Sequence, residues 1–336
     1  MQLVRENRMC EATIVVDGLG GCGKTMLSSV INSLQRVEMF QYAYEIESYC
    51  FLNYLNKIDI NTAITIINRK LDLAIYNNMM SREVNFRFSD LSSVLNSPIK
   101  LKYLKRLFSE GDEIIPYKIK SDSPILHLVT HNLSAFSSPL IEKSKNEILL
   151  INFHRHPLYM IKQNMWNMEN LINDKRHFGL YYKWGKYNLP LFYEGQEKSM
   201  MAANSKEKAI LYLKWHRQKF HELNFNKKNY MQITFESFVR DPNPHIDLIC
   251  NRFKTKRGKK FEKILKKEKI PREILSDGRD LPIYRRVNWT KTSASSSEIE
   301  LNELYKWTIE GLSTNTKKAL EWLIDDYNLF KNSIDD

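Results

Sequence analysis

Apolar positions along the chain alternate between short continuous runs and longer stretches with helical spacing. Thr13 to Val16 are β-branched and apolar, which suits a strand buried on both faces of a parallel sheet. Beyond a cluster of glycines, Met26, Leu27, Val30, Ile31 and Leu34 keep the spacing of one helix face. Tyr42 to Tyr54 (YAYEIESYCFLNY) is aromatic-rich and is expected to carry a second strand. Ile64, Ile67, Leu71 and Ile75 then recur at helical spacing, and Leu91 to Leu107 reads as helix in pieces, broken near Pro98. The stretch 55–120 is therefore read as a helical insertion that shapes a pocket.

Two apolar runs follow, Ile125 to Val129 and Glu147 to Phe153, both suited to central strands, with a short helix between them. Lys206 to Leu223 is helical through Ile210, Leu213, Trp215 and Phe220, and Tyr230 to Phe235 is a further strand. Thr316 to Phe330 sets Ala319, Leu320, Leu323, Ile324 and Tyr327 on one face of a closing helix. Strands separated by helices predict an α/β fold of P-loop type: a mostly parallel central sheet, helices on both faces, and helical insertions. One domain is expected over 1–336, with 165–205 as a lid or acceptor-binding segment. In such sheets ligands gather at the carboxyl ends of the strands.

The first strand ends in the most informative motif. Gly18, Gly23, Lys24 and Thr25 fit G-x-x-x-x-G-K-[ST], with further glycines at Gly20 and Gly21. A strand, a loop able to take positive φ and a helix N-terminus together aim N–H groups and partial positive charge at an anion. Cys22 sits inside this loop as a small filler.

Composition narrows the partner. With 43% hydrophobic residues the chain can bury a core, and a net charge of +12 points to an anionic ligand. No nucleic-acid partner is expected, because the basic residues are spread along the chain apart from Lys254 to Lys269, which reads as a solvated helix face rather than a docking surface for an acidic substrate. Cys10, Cys22, Cys50 and Cys250 have neither disulfide nor zinc spacing. The opening MQLVRENRMCEA has no leader-like apolar core, and no apolar run approaches the ~18 residues of a membrane span. A soluble, cytoplasmic protein is expected.

The strand tips carry the remaining chemistry. Thr130 and His131 follow one strand; His154, Arg155, His156 and Pro157 follow the next; Glu236 and then Arg240-Asp241-Pro242 follow the last. Arg can hold a phosphate bidentately, and His can take a proton near neutral pH. Glu236, between a strand and a helix, is expected to cap the helix N-terminus.

The order of these pieces resembles the sulfotransferases that use 3′-phosphoadenosine-5′-phosphosulfate (PAPS). The matching pieces are the strand–loop–helix, VTHNL with Thr130 and His131, HRHPLYMIKQN with Arg155 and Pro157, and TFESFVRDP. Arg285-Arg286-Val287-Asn288-Trp289 matches the loop that closes over the nucleotide. The resemblance spans most of the chain except 55–120 and 165–205. It implies that Gly20, Gly21, Cys22, Gly23, Lys24 and Thr25 hold the 5′-phosphosulfate. Arg155, Gln163, Arg285 and Arg286 would hold the 3′-phosphate, with no metal, and Lys24 would stabilise the leaving oxygen. It offers two candidates for the base that deprotonates an acceptor hydroxyl: His131, or Glu47 with Glu45 second.

The chain departs from that pattern in several places, and its closing loop also lacks the glycines usual in the family. Gln163 stands where the family has Ser, the cation usual before the loop core is replaced by Gly21, and Lys24 occupies the nucleoside-triphosphatase position. A Mg-ATP or Mg-GTP kinase or NTPase is therefore the rival reading. It needs an acidic residue after a second strand, and Thr130-His131 and Asn152-Phe153-His154 provide none. A nucleotide-gated binding protein is a third reading, which leaves His131 unexplained. The expected acceptor is a hydroxyl on a carbohydrate or other small metabolite. Tyr181 to Glu194, with Trp184 and Tyr187, offers aromatic rings for a sugar or for lid packing, and the basic balance leans towards an anionic acceptor.

Overall fold

The computed structural model describes residues 2–109, 111–141, 147–172, 174–223, 227–280 and 294–335. Five strands form one parallel sheet: β1 (Ala12–Asp17), β2 (Gln41–Tyr42), β3 (Ile125–Val129), β4 (Glu147–His154) and, after the hairpin below, β7 (Tyr230–Thr234). Their spatial order is β2-β3-β1-β4-β7. The register pairs Val16 with Val129, Asp17 with Asn152 and His154 with Thr234. All the segments singled out at strand ends therefore leave the sheet at one edge.

Alternation along each strand divides the core between two faces. On one face Ile14, Val16, Leu149, Ile151 and Phe153 pack with Leu27, Val30 and Ile31 of α1 (Lys24–Ile31). On the other Val15, Leu126, Leu128, Ile148 and Leu150 pack with α2 (Tyr44–Tyr54) and α3 (Ile60–Met79). The mostly parallel, doubly covered sheet expected from the sequence is the observed fold.

The strand expected over Tyr42–Tyr54 is corrected. Of that stretch Tyr42 alone, with Gln41 before it, pairs with β3; from Tyr44 the chain is helical. Ile46, Cys50 and Phe51 bury one helix face there, a spacing that the flanking tyrosines mask in the sequence. The stretch 55–120 continues through α3, α4 (Lys100–Arg106) and α5 (Ile114–Asp122). Its anchor is Arg106, whose Nη1 and Nη2 donate to the buried Glu38 carboxylate at 2.7 and 2.8 Å, while Tyr103 Oη donates to the same group at 2.6 Å.

The remaining elements frame the strand tips. They are α6 (Ser138–Ile141), α7 (Leu158–Asn170), the hairpin β5 (Tyr181–Trp184) and β6 (Tyr187–Pro190), α8 (Glu197–Ala202) and α9 (Ser205–His221). After β7 come α10 (Phe235–Arg240), α11 (Asn243–Arg252), α12 (Phe261–Glu268), α13 (Ser297–Ile309) and α14 (Thr314–Asp335). In α12, Phe261 and Leu265 face inward while Lys263, Lys266 and Lys267 are exposed, the solvated basic face read from the sequence. Cys10, Cys22, Cys50 and Cys250 are all buried. No helix among the described residues is long and apolar enough to cross a membrane.

Candidate active site

Gly18 to Thr25 wrap the tip of β1 and open α1. Gly23 is the residue before the helix, at φ 95° and ψ 10°, and Gly21 has φ 85°. A Cβ on Gly23 would lie 2.6 Å from Phe235 Cδ2, so the position needs glycine for both conformation and space. Gly20 is pressed against α7, where Asn164 Nδ2 donates to its carbonyl at 2.8 Å. Lys24 folds back inside the loop, with Nζ donating to Gly18 O at 2.7 Å. Cys22 is fully buried, and burial pushes its thiol up, in keeping with a filler rather than a reactive thiolate. Burial raises the pKa of the Tyr42 hydroxyl, and the Thr25 side chain opposes that rise.

The two residues proposed as alternative bases form one unit. Glu47 Oε1 accepts from His131 N at 2.9 Å and lies 3.1 Å from His131 Nδ1. Glu47 is 7% exposed and stands in the first turn of α2. Glu45, the second choice, points elsewhere: it is exposed and pairs with Lys70 at 2.6 Å. A carboxylate on Nδ1 selects the tautomer with its proton there and leaves Nε2 as the acceptor nitrogen. Tyr44 stacks on the imidazole at 4.9 Å and Tyr42 at 5.5 Å, so the ring is fixed in plane as well as in tautomer.

His131 and Glu47 line a cavity of about 260 Å³. Its other walls include Asn164 and Asn167 of α7, Phe178, Phe192 and, from α9, Trp215. Asn164 thus belongs both to this cavity and to the loop. The cavity takes part of its wall from the 165–205 segment, but not from Trp184 or Tyr187. Those two rings stack on each other at the hairpin end, 6.3 Å apart.

Arg155 leaves the tip of β4 and lies against the loop from the other side. Its Nη1 donates to Gly21 O at 3.1 Å, and its guanidinium lies 4.6 Å from the Tyr159 ring and 4.0 Å from the Phe235 ring. Its Nε is buried and has no hydrogen-bond partner among the described residues. Gln163 reaches the same turn: a Cβ on Gly21 would be 3.3 Å from Gln163 Cβ, while the Gln163 amide donates to Asn167. Arg272, unnoticed in the sequence, also lies over Phe235, at 5.2 Å. Arg285 and Arg286 lie outside the described residues.

Two acidic residues at the tips have structural duties. Asp17, which the sequence reading passed over although it precedes the first loop glycine, is buried. It accepts from Thr130 Oγ1, Leu133 N, Ser134 N and Ser134 Oγ at 2.6–3.0 Å. Four donors leave that carboxylate saturated, and it fixes the turn that carries His131. Glu236 does not cap its helix; Thr234 does, through a bond from Ser237 N at 3.1 Å. Glu236 is buried instead between His156 N and the Tyr327 hydroxyl of α14.

No family model and no curated protein matches the chain. Among solved structures it is similar to the sulfotransferase domain of the Synechococcus PCC 7002 olefin synthase. The identity is 10% and the TM-score 0.36, over 93% of this chain and 100% of that one. It is also similar to the sulfotransferase domain of the curacin biosynthetic pathway, at 12% identity and TM-score 0.37, over 94% of this chain and 98% of that one. Likenesses this distant carry no weight on activity, which is argued below from the residues.

Proposed function

We propose that this chain is a transferase that moves a sulfuryl group from PAPS to an acceptor hydroxyl. The observation that carries the reading is the oriented His131–Glu47 pair on a cavity whose Asn164 wall also binds Gly20 of the glycine loop. The donor set fits the nucleotide. Loop amides, the α1 N-terminus and Lys24 suit the 5′ end, and Arg155, with a buried Nε still to be satisfied and Gln163 beside the same turn, suits a second phosphate. When bound, PAPS supplies an activated sulfuryl group and a phosphate leaving group. His131 Nε2 takes the proton from the acceptor hydroxyl as that oxygen bonds to sulfur, and Glu47 stabilises the resulting imidazolium. Lys24 exchanges its bond to Gly18 O for the oxygen on which charge grows.

The kinase reading keeps one observation in its favour, the position of Lys24. Against it, Asp17, the carboxylate at the tip of β1, accepts four protein donors through both its oxygens, and Glu47 is turned to His131. A thermal-shift titration separates the two readings. A ligand at ~100 times its dissociation constant adds about 2.7 kcal/mol, a shift of several degrees. Stabilisation by adenosine 3′,5′-bisphosphate in EDTA supports the transferase. Stabilisation by ATP alone, and only with Mg²⁺, supports the kinase.

A further inference from the structure

A second cavity, of about 70 Å³, lies behind the phosphate loop beside Gly18 and Leu19. Asn132 and His216 line both cavities and so form the wall between them. Both carry an unsatisfied polar atom: Asn132 Oδ1 and His216 Nε2 are buried with no hydrogen-bond partner among the described residues. His216 is 5% exposed, on the inward face of α9, with Tyr212 and Trp215 edge-on to its ring at 4.7 and 4.9 Å. Burial holds its pKa down at about 3, so the ring is neutral. Buried polar atoms are nearly always satisfied, and two orphans on one wall therefore mark a place for a ligand group.

We propose that Asn132 and His216 form a specificity subsite that hydrogen-bonds a second, uncharged hydroxyl of a ring acceptor whose reacting hydroxyl faces His131. A hydroxyl matches the pair, because its proton can go to Asn132 Oδ1 or His216 Nε2 while its oxygen accepts from the imidazole in the other tautomer. The charges nearby leave little advantage to an ion. The saturated Asp17 carboxylate acts electrostatically on His216 and opposes an anion. Arg155 in the smaller cavity opposes a cation, Arg217 there being paired with Asp326. The flat aromatic walls supplied by Phe192, Tyr212 and Trp215 suit a ring more than a flexible chain. This subsite replaces the anionic acceptor that net charge alone suggested, and it rests on the larger cavity being the acceptor site.

The test is calorimetric binding of three matched probes to the full chain: 2-naphthol, 2,6-dihydroxynaphthalene and 6-hydroxy-2-naphthoate. The dihydroxy probe should bind roughly tenfold more tightly than 2-naphthol, the scale of satisfying one or two buried groups. His216→Phe and Asn132→Leu should each erase that advantage while leaving 2-naphthol affinity unchanged. Neither variant should lower the melting temperature, because each removes an unpaired buried polar atom. Equal affinity for the two neutral probes, binding by neither, tightest binding by the naphthoate, or an advantage that survives both substitutions would each overturn the subsite. No sulfuryl donor is needed, so failure of the transfer reading and failure of this subsite are seen separately.

Discussion

Replacing Glu47 with Gln keeps the shape of the His131 support and removes only its charge. One Glu47 oxygen accepts both contacts from His131, at 2.9 and 3.1 Å, and the amide oxygen of Gln can do the same. The tautomer and the backbone bond should survive, leaving the charge difference that matters once the imidazole holds a proton. At 3.1 Å and an effective dielectric constant of about 20, Coulomb's law gives roughly 5 kcal/mol. That is an upper figure, because the His131 side chain is 34% exposed and water screens the pair. The scale of a charged hydrogen bond, about 1.5–3 kcal/mol, is the better guide and corresponds to a ~10–150-fold fall in kcat. The assay is release of adenosine 3′,5′-bisphosphate from the donor with acceptor present, alongside nucleotide affinity by calorimetry. Affinity should not change. In a His131→Ala background, Glu47→Gln should cost nothing further, since its effect acts through the imidazole. A wild-type rate for Glu47→Gln, or a full additive loss in the double variant, would refute the pairing.

Arg155→Ala should weaken adenosine 3′,5′-bisphosphate by about 1.5–3 kcal/mol, roughly 10–150-fold, and spare AMP; equal losses would remove Arg155 from the 3′-phosphate. Gly23→Ala forces a Cβ into the Phe235 ring at a φ of 95°; urea unfolding should show a loss above about 1 kcal/mol, and nucleotide-dependent stabilisation should vanish. Asp17→Asn presents an amide NH₂ to donors that now meet an oxygen, so a loss of about 3 kcal/mol or more is expected in the same assay. Three buried histidines and the partly buried His154 titrate below the ordinary 6.5: burial sets His127 and His216 near 3 and His156 near 4, and pushes His154 down with help from Arg217. The unfolded chain binds protons that the folded chain refuses once pH falls through 6.5. Stability should therefore be full above that value and fall by on the order of 1.4 kcal/mol per pH unit for each histidine below it. Flat urea midpoints between pH 7 and 5.5 would contradict the burial of these rings.

The parts of the fold that were legible are those in which local pattern and burial agree. β1, β3 and β4 read as continuous apolar runs because helices cover both faces of the sheet, and the loop reads from its glycines because only they supply its conformation. α2 did not, since the aromatic residues Tyr44, Tyr49 and Tyr54 interrupt the i, i+4 signal of Ile46 and Cys50 on a short segment. Glu47 and His131 were each visible as candidates, but their contact spans 84 positions and follows from the order of the strands, which no local window contains. The same limit explains Glu236, whose place beside a helix start suggested a cap. Its partner Tyr327 stands 91 positions away. His216 lay in an apolar helical pattern and gave no sign of being a ligand group. Only its unsatisfied nitrogen between two cavities singles it out.

Acceptor-dependent sulfuryl transfer in EDTA, followed with ³⁵S-labelled donor and 2-naphthol, tests the central claim most directly. The account predicts labelled naphthyl sulfate from the wild-type chain and none above background from Lys24→Ala or His131→Ala, with both variants folded. No label transferred by the wild-type chain, or transfer that persists in both variants, would contradict it.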